Sequence, residues 1–319
     1  MKELYILRSY EKDSANYMRW FVDAWIEQGI GCVEKEKSVL NSIFRQLPRK
    51  VKYILLFLLQ VNRRKSNYLI VPMGGGTCLD DVFPFCYKYN IIPYIWDCWP
   101  NTWKNVLEMV RILHIEKCFI SSSLVCNELS RKILNTQFVF VPEGINDSVY
   151  LQGEALVNRE IDILELGRKN SFYHDQIVKI DGIKFLYNRN DQYVFPSFSA
   201  LVSGLSNSKI VICFPRCDTH QNMAGNIETL TQRYWECMLS RCLIVGRAPF
   251  ELINLIGYNP VIEVEWGNEE EQLLRILNNI GIYQDMVDKN YSVALEFSPW
   301  SCRINDMIQK LSSFKVSIN

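Results

Sequence analysis

The sequence predicts an α/β protein of two domains, and three observations carry that expectation. Short apolar runs bounded by turn residues recur along the chain, at 3–9, 67–73, 90–96, 118–120, 138–141, 160–166 and 242–245 among others. Segments with helical spacing of apolar residues lie between them, so strands and helices alternate in both halves. A length of 319 residues gives room for two such domains, at about 150 residues each.

Composition narrows the function classes. Apolar content of 48% with 22% charged residues describes a folded chain. The formal net charge is zero, so the basic field of a nucleic-acid binder is missing and nucleic acid is not an expected partner. Eleven cysteines without a C-x-x-C pair, and only three histidines, speak against a zinc site. The start, MKELYILRSYEKD, does not read as a signal peptide. Free buried thiols in a reducing cytoplasm are therefore expected.

In chain order, 3–9 reads as a buried strand, and Ser14 or Asn16 as the cap of a helix from Tyr17 to about Gln28. The loop between them is where α/β folds place ligand groups. VKYILLFLLQV (51–61) is the longest apolar run, with basic residues on both sides. It is too short to span a membrane. Leu47, Val51, Ile54, Leu55, Leu58 and Val61 follow helical spacing, which fits a core helix. A basic apolar surface over 45–65, resting on an anionic membrane, fits as well.

Strand 67–73 runs into Gly74–Gly76, without either phosphate-loop pattern; a plain turn and a cleft wall around Gly75 both fit. Strand 90–96 ends on Trp96 and Asp97, with Trp99 and Trp103 just beyond. Either the indoles and the carboxylate receive a sugar, or Asp97 caps the next turn. Segment 118–133 repeats strand, serine turn and helix, and 138–146 is a strand ending in PEGIN. The polar run 147–160 reads as a linker. EIDILELGRKN then opens a second α/β unit, and 181–215 gives strand, helix, strand.

PRCDTHQNMAGN is a polar loop holding His220, and it leads into GNIETLTQRYWECMLSRCLIVG (225–246). Here Glu228 and Glu236 stand eight positions apart, a little over two helical turns. The helix mouth near Thr229, Leu230 and Thr231 offers amide groups and a dipole end that suit a phosphate.

This run resembles the E-x7-E motif of family-4-type retaining glycosyltransferases of the GT-B fold. ECMLSRCLIVG keeps the glutamate, the methionine and the apolar strand, and departs at Arg241, where the family commonly has Gly, and at Leu243, where it has Pro. PEGIN resembles the P-x-G-[IV]-[DN] segment that closes the family's first domain, and SPWSCRINDMIQKLSSF its terminal helix. The resemblance implies two Rossmann-like domains facing a cleft: 1–150 on the acceptor side, 151–298 for the nucleotide-sugar, and 299–319 returning to the first domain.

It implies catalytic roles for Glu228, near the reacting sugar, and Arg168, on the diphosphate. Glu236 would accept from the ribose hydroxyls. Gly167, Lys169, Thr229, Leu230, Thr231 and His220 would complete donor binding, with Asp97, Trp96 and Gly75 on the acceptor side. No metal or resident cofactor is expected, since D-x-D is missing; the nucleotide-sugar, UDP or GDP type, is a co-substrate. The acceptor would be a glycan or a lipid-linked sugar of surface polysaccharide synthesis, met in the cytoplasm or at the inner membrane face. A nucleotide-sugar epimerase and a non-catalytic nucleotide-binding scaffold stay open as alternatives.

Overall fold

A computed structural model describes residues 2–8, 17–35, 39–58, 65–76, 78–189, 192–311 and 316–317. The proposed caps Ser14 and Asn16, and the loop they sit in, lie outside the described residues. The chain forms two compact units, 1–142 with 300–319, and 143–299.

The first unit is built on a parallel sheet. Its strands are β1 (Lys2–Arg8), β2 (Gly31–Glu34), β3 (Tyr68–Gly74), β4 (Asn90–Trp96), β5 (Lys117–Ile120), β6 (Gln137–Phe140) and, near the chain end, Val316–Ser317. The path runs from Val316–Ser317 through β1, β3, β4 and β5 to β6, with β2 also on β1. β3 and β4 are buried along most of their length, as their unbroken apolar runs require of strands covered on both faces.

An aromatic cluster fills one face of this sheet: Phe21 and Trp25 from helix Tyr17–Glu27, Tyr94 from β4, and Trp300. Trp300 opens the helix Trp300–Leu311, which buries Trp300, Ile304, Met307 and Leu311 at spacings of four, three and four. That stripe is the inward face of an amphipathic helix. Each such side chain stabilises the unit by about 1.5–3 kcal/mol. The terminal helix thus belongs to the core of the first unit, as the sequence predicts.

Helices Val39–Gln46 and Arg49–Leu58 overturn one expectation. The periodic face read as core points to solvent: Val51, Ile54 and Leu58 are exposed, and so are Leu40, Ile43 and Phe57. Lys52 and Leu56 face inward instead. The Lys52 ammonium meets Asp80 at 2.7 Å and donates to the Arg45 carbonyl at 3.0 Å, so its aliphatic stem lines the interior while its charge is satisfied. Val61 lies outside the described residues.

The second unit carries a second parallel sheet, in the order β11-β10-β9-β7-β8. These are β7 (Ile161–Glu165), β8 (Phe185–Tyr187), β9 (Ser208–Cys213), β10 (Leu243–Gly246) and β11 (Ile262–Glu263). One face is filled by Ile163, Tyr173, Ile210, Val245, Leu273 and their neighbours. The polar run 147–160 is packed rather than free. Tyr150, Leu156 and Arg159 are buried, and Arg159 donates to the carbonyls of Glu154 and Ser208. Polar composition suggests a linker here because the buried Arg159 is satisfied on backbone carbonyls and Tyr150 on the Glu236 carboxylate, which spacing does not reveal.

Candidate functional site

In a parallel sheet the loops leaving the strands gather at one edge. A crevice opens there where the chain turns from building outward on one side to building on the other. In the second unit that point lies between β7 and β9. Gly167, Arg168 and Lys169 follow β7; Pro215, Arg216 and His220 follow β9; Arg247 follows β10. Each of the three strands is therefore followed within three residues by an arginine. A positive φ of 74° at Gly167 turns the chain out of β7 in a conformation that glycine adopts without strain. Arg168 is exposed. The exposed His220 has its pKa lowered by partial burial and by the charges of Arg168 and Arg216.

The two motif glutamates sit in different settings. The helix begins only at Gln232 (Gln232–Leu239), so Glu228 lies in the loop before it. Arg247 grips Glu228 at 2.6 Å through Nη1, and turns Nε toward Asp218, also at 2.6 Å. The amide of Phe250 donates to Glu228 as well. Glu236, 1% exposed, accepts from the Tyr150 hydroxyl at 3.1 Å and pairs with Arg233 at 2.6 Å. Removing a carboxylate this far from water is costly unless such partners meet it.

The helix mouth is only partly open to a phosphate. Thr229 and Leu230 are buried, and the Leu230 amide already donates to Glu251 at 2.8 Å. Thr231 is the N-cap residue. Glu251 stands in the first turn of helix Phe250–Ile256. Lys169 faces His174 and the ring of Tyr187.

Arg241 has φ of +53°, the left-handed region that favours glycine, and it is the position where the resembled family commonly has Gly. An L-residue there costs about 1–2 kcal/mol. Arg241 is held by Asp288 of helix Gln284–Phe297, its Nε donating at 2.6 Å.

In the first unit, Gly75, Trp96 and Asp97 lie together at the ends of β3 and β4. The Gly75 amide donates to the Trp96 carbonyl at 3.1 Å. A Cβ on Gly75 would lie 2.5 Å from Thr102 Oγ1 and 3.1 Å from the Cys98 Cα, so this approach admits only glycine. Trp96 spends its faces on protein: it stacks on Trp300 at 5.8 Å and meets Phe21 and Tyr94 edge-on. Trp99 is buried, and the Trp103 indole donates to the Cys98 carbonyl. Asp97 is exposed, at φ of +48°.

Sequence reasoning missed Arg216, Arg233, Arg247, Tyr150, Glu165 and His174. One signal could have found Arg216 and Arg247: each comes within three residues of the end of an apolar strand, as Arg168 does.

No protein-family model and no curated protein matches the chain. Among solved structures, HepE from Anabaena, in complex with UDP-glucose, aligns over 98% of this chain and 100% of its own, with a TM-score of 0.59 and 8% identity. Sucrose-phosphate synthase from Thermosynechococcus elongatus aligns over 98% and 99%, at 0.61 and 9%. TarM aligns over 80% of this chain at 0.52 and 10%, and the alignment spans 57% of TarM's own length. With two parallel α/β units and a last helix built into the first of them, the chain has the GT-B fold of these glycosyltransferases.

Proposed function

We propose that the chain is a glycosyltransferase that moves a sugar from a nucleotide-sugar to a glycan or lipid-linked acceptor. The observation that carries this reading is the row of arginines leaving β7, β9 and β10 beside the carboxylates Glu228 and Glu236. As the glycosidic bond to the nucleotide breaks, negative charge gathers on the departing diphosphate. Preorganised positive groups lower that barrier. Arg168 and Arg216 do so by bidentate contact with phosphate oxygens, without need of a metal. Glu236 takes the ribose hydroxyls in exchange for part of its present partners. Glu228, oriented by Arg247, meets the donor sugar, and the anomeric configuration is retained. HepE binds UDP-glucose, which makes UDP the first base to try.

The same reading extends to the membrane. From Ser38 to Leu79 the sequence has no acidic residue and seven basic ones. Helices 39–46 and 49–58 turn Leu40, Ile43, Ile54 and Phe57 to solvent. An apolar face with basic flanks suits the inner leaflet, where lipid-linked acceptors of surface polysaccharide lie.

Calorimetric titration with UDP-, GDP- and ADP-sugars, with Glu236→Ala alongside, tests the donor assignment. Saturable binding to one nucleotide, weakened by the substitution, supports it; binding to none removes it. Flotation with phosphatidylglycerol vesicles tests the membrane arm, which fails if Ile54→Glu/Phe57→Glu floats as the unchanged protein does.

A further inference from the structure

A buried acid stands behind the loop that leaves β7. Glu165 is 1% exposed, and its Oε2 lies 2.5 Å from His174 Nδ1. Its Oε1 has no hydrogen-bond partner among the described residues. The other ring nitrogen, His174 Nε2, faces Lys169 Nζ at 3.4 Å, and that ammonium also lies over Tyr187, 4.4 Å from the ring centroid. A carboxyl group at a strand end, buried with half its acceptor capacity unfilled, is costly where an apolar residue would serve. Such groups concentrate at functional sites, and this one ends β7, in register with Ile212 of β9 and Tyr187 of β8.

Three groups in a row admit two proton arrangements. In one, Lys169 donates to Nε2, so Nδ1 carries the ring proton and donates to an ionised Glu165. In the other, a protonated Glu165 donates to Nδ1, and Nε2 carries the ring proton. An N–H then faces an ammonium that has only donors, and Lys169 is released. The change takes one solvent proton: an Nε2–H bond forms, the Nδ1–H bond breaks, and that proton bonds to Oε2. Nothing is oxidised or reduced.

Burial favours the released arrangement. It pushes Glu165 up to about 8, with the Lys169 charge opposing. It also lowers His174, helped by Lys169 and opposed by Asp175. A neutral acid leaves the unpartnered Oε1 as a carbonyl oxygen, which is cheaper to bury than a carboxylate. Other groups facing the row are Tyr173 beside Glu165, and Tyr187 of β8 with Arg189 over its ring at 4.8 Å. Tyr and Arg ordinarily titrate well above neutrality, and Asp well below it.

We propose that Glu165 and His174 form a proton-coupled latch on Lys169, closed when Glu165 is ionised and open when it is protonated, so that engaging Lys169 on a nucleotide diphosphate takes up a proton. This rests on the nucleotide-sugar reading above. In the latch Glu165 and His174 are positioning residues, since they reach the phosphate only through Lys169.

Two readouts on the full chain test it. Nitrogen-15 NMR of the free protein should show the His174 ring proton moving from Nε2 to Nδ1 as pH rises through about 8, and no such move in Glu165→Gln. A single tautomer across the range overturns the latch. UDP titrated calorimetrically at about pH 8.5, in buffers of different ionisation enthalpy, should take up well over half a proton in the unchanged protein and almost none in Glu165→Gln or Lys169→Met. Lys169→Met leaves the buried pair intact and guards against a folding defect. UDP binding with equal proton uptake in all three overturns the latch alone; no binding of UDP, GDP or ADP in any overturns the nucleotide reading as well.

Discussion

The two units share an edge plan and use it in opposite ways. Both sheets run parallel, and in both the strand order reverses beside the first strand, between β1 and β3 in one and between β7 and β9 in the other. At the first edge the side chains serve the interior: Trp96 is stacked on Trp300, Trp99 is buried, and Gly75 is closed against Cys98 and Thr102. At the second edge Arg168, Arg216 and Arg247 line up, and two carboxylates are held by Arg233 and Arg247. Topology supplies a crevice twice; among the described residues a row of arginines follows three neighbouring strands only at the second. A shared fold therefore locates a site, and the side chains decide whether it is used.

The largest expected effect separates the edges by stability. Trp300→Ala removes the stacking partner of Trp96 and should cost about 3–5 kcal/mol. Urea unfolding should show the loss in a transition assigned to the first unit, with UDP binding by the second retained below it. Equal loss from both units would break the contrast.

Next comes chemistry. Glu228→Gln keeps the size of the side chain and removes the charge that Arg247 grips; sugar transfer from the donor found by titration should fall by about 100- to 1000-fold. Asp97→Asn on the first edge should change donor affinity less than twofold, or about 0.4 kcal/mol. A comparable loss from both would mean that the edges are not divided as described.

Stability should also depend on pH through Glu165. Its folded pKa, about 8, lies above the ordinary 4.5, so between those values the unfolded chain binds fewer protons and stability falls as pH rises. The fall ends above the folded value. Glu165→Gln should flatten that slope and leave the protein a few kcal/mol more stable than the unchanged one at about pH 9, as denaturant midpoints would record. A slope unchanged by the substitution would assign it to other groups. The smallest effect belongs to Arg241→Gly, which relieves the left-handed backbone while losing Asp288; the two nearly cancel, within about 1 kcal/mol, whereas Arg241→Ala loses the ion pair and keeps the strain.

Much of this was legible in the residues. Alternating apolar runs give both sheets, because a strand buried on two faces leaves an unbroken apolar string. Glu228, Glu236 and Arg168 enter the candidate site from a fixed spacing within a strand–loop–helix setting. Arg216 and Arg247 are not, since one arginine after a strand looks like any solvated turn until the neighbouring strands are placed side by side. The pair Glu165 and His174 stand nine residues apart with no motif, and only the turn at Gly167 brings them together. Helix 49–58 fails for another reason: periodicity identifies a face, but not which way it points, and Lys52 reverses the outcome by finding Asp80 inside.

The helix 300–311 has a consequence for the order of events during synthesis. Domains emerging from a ribosome usually fold in the order they are made. Here Trp300, Ile304, Met307 and Leu311 complete a core whose other members lie before residue 142. The unit made first therefore waits, its aromatic face open, while the whole of 143–299 is translated and can fold. A stop codon anywhere in 143–299 would leave the N-terminal half with β1 to β6, but without the edge strand Val316–Ser317 and without the wedge that closes the core.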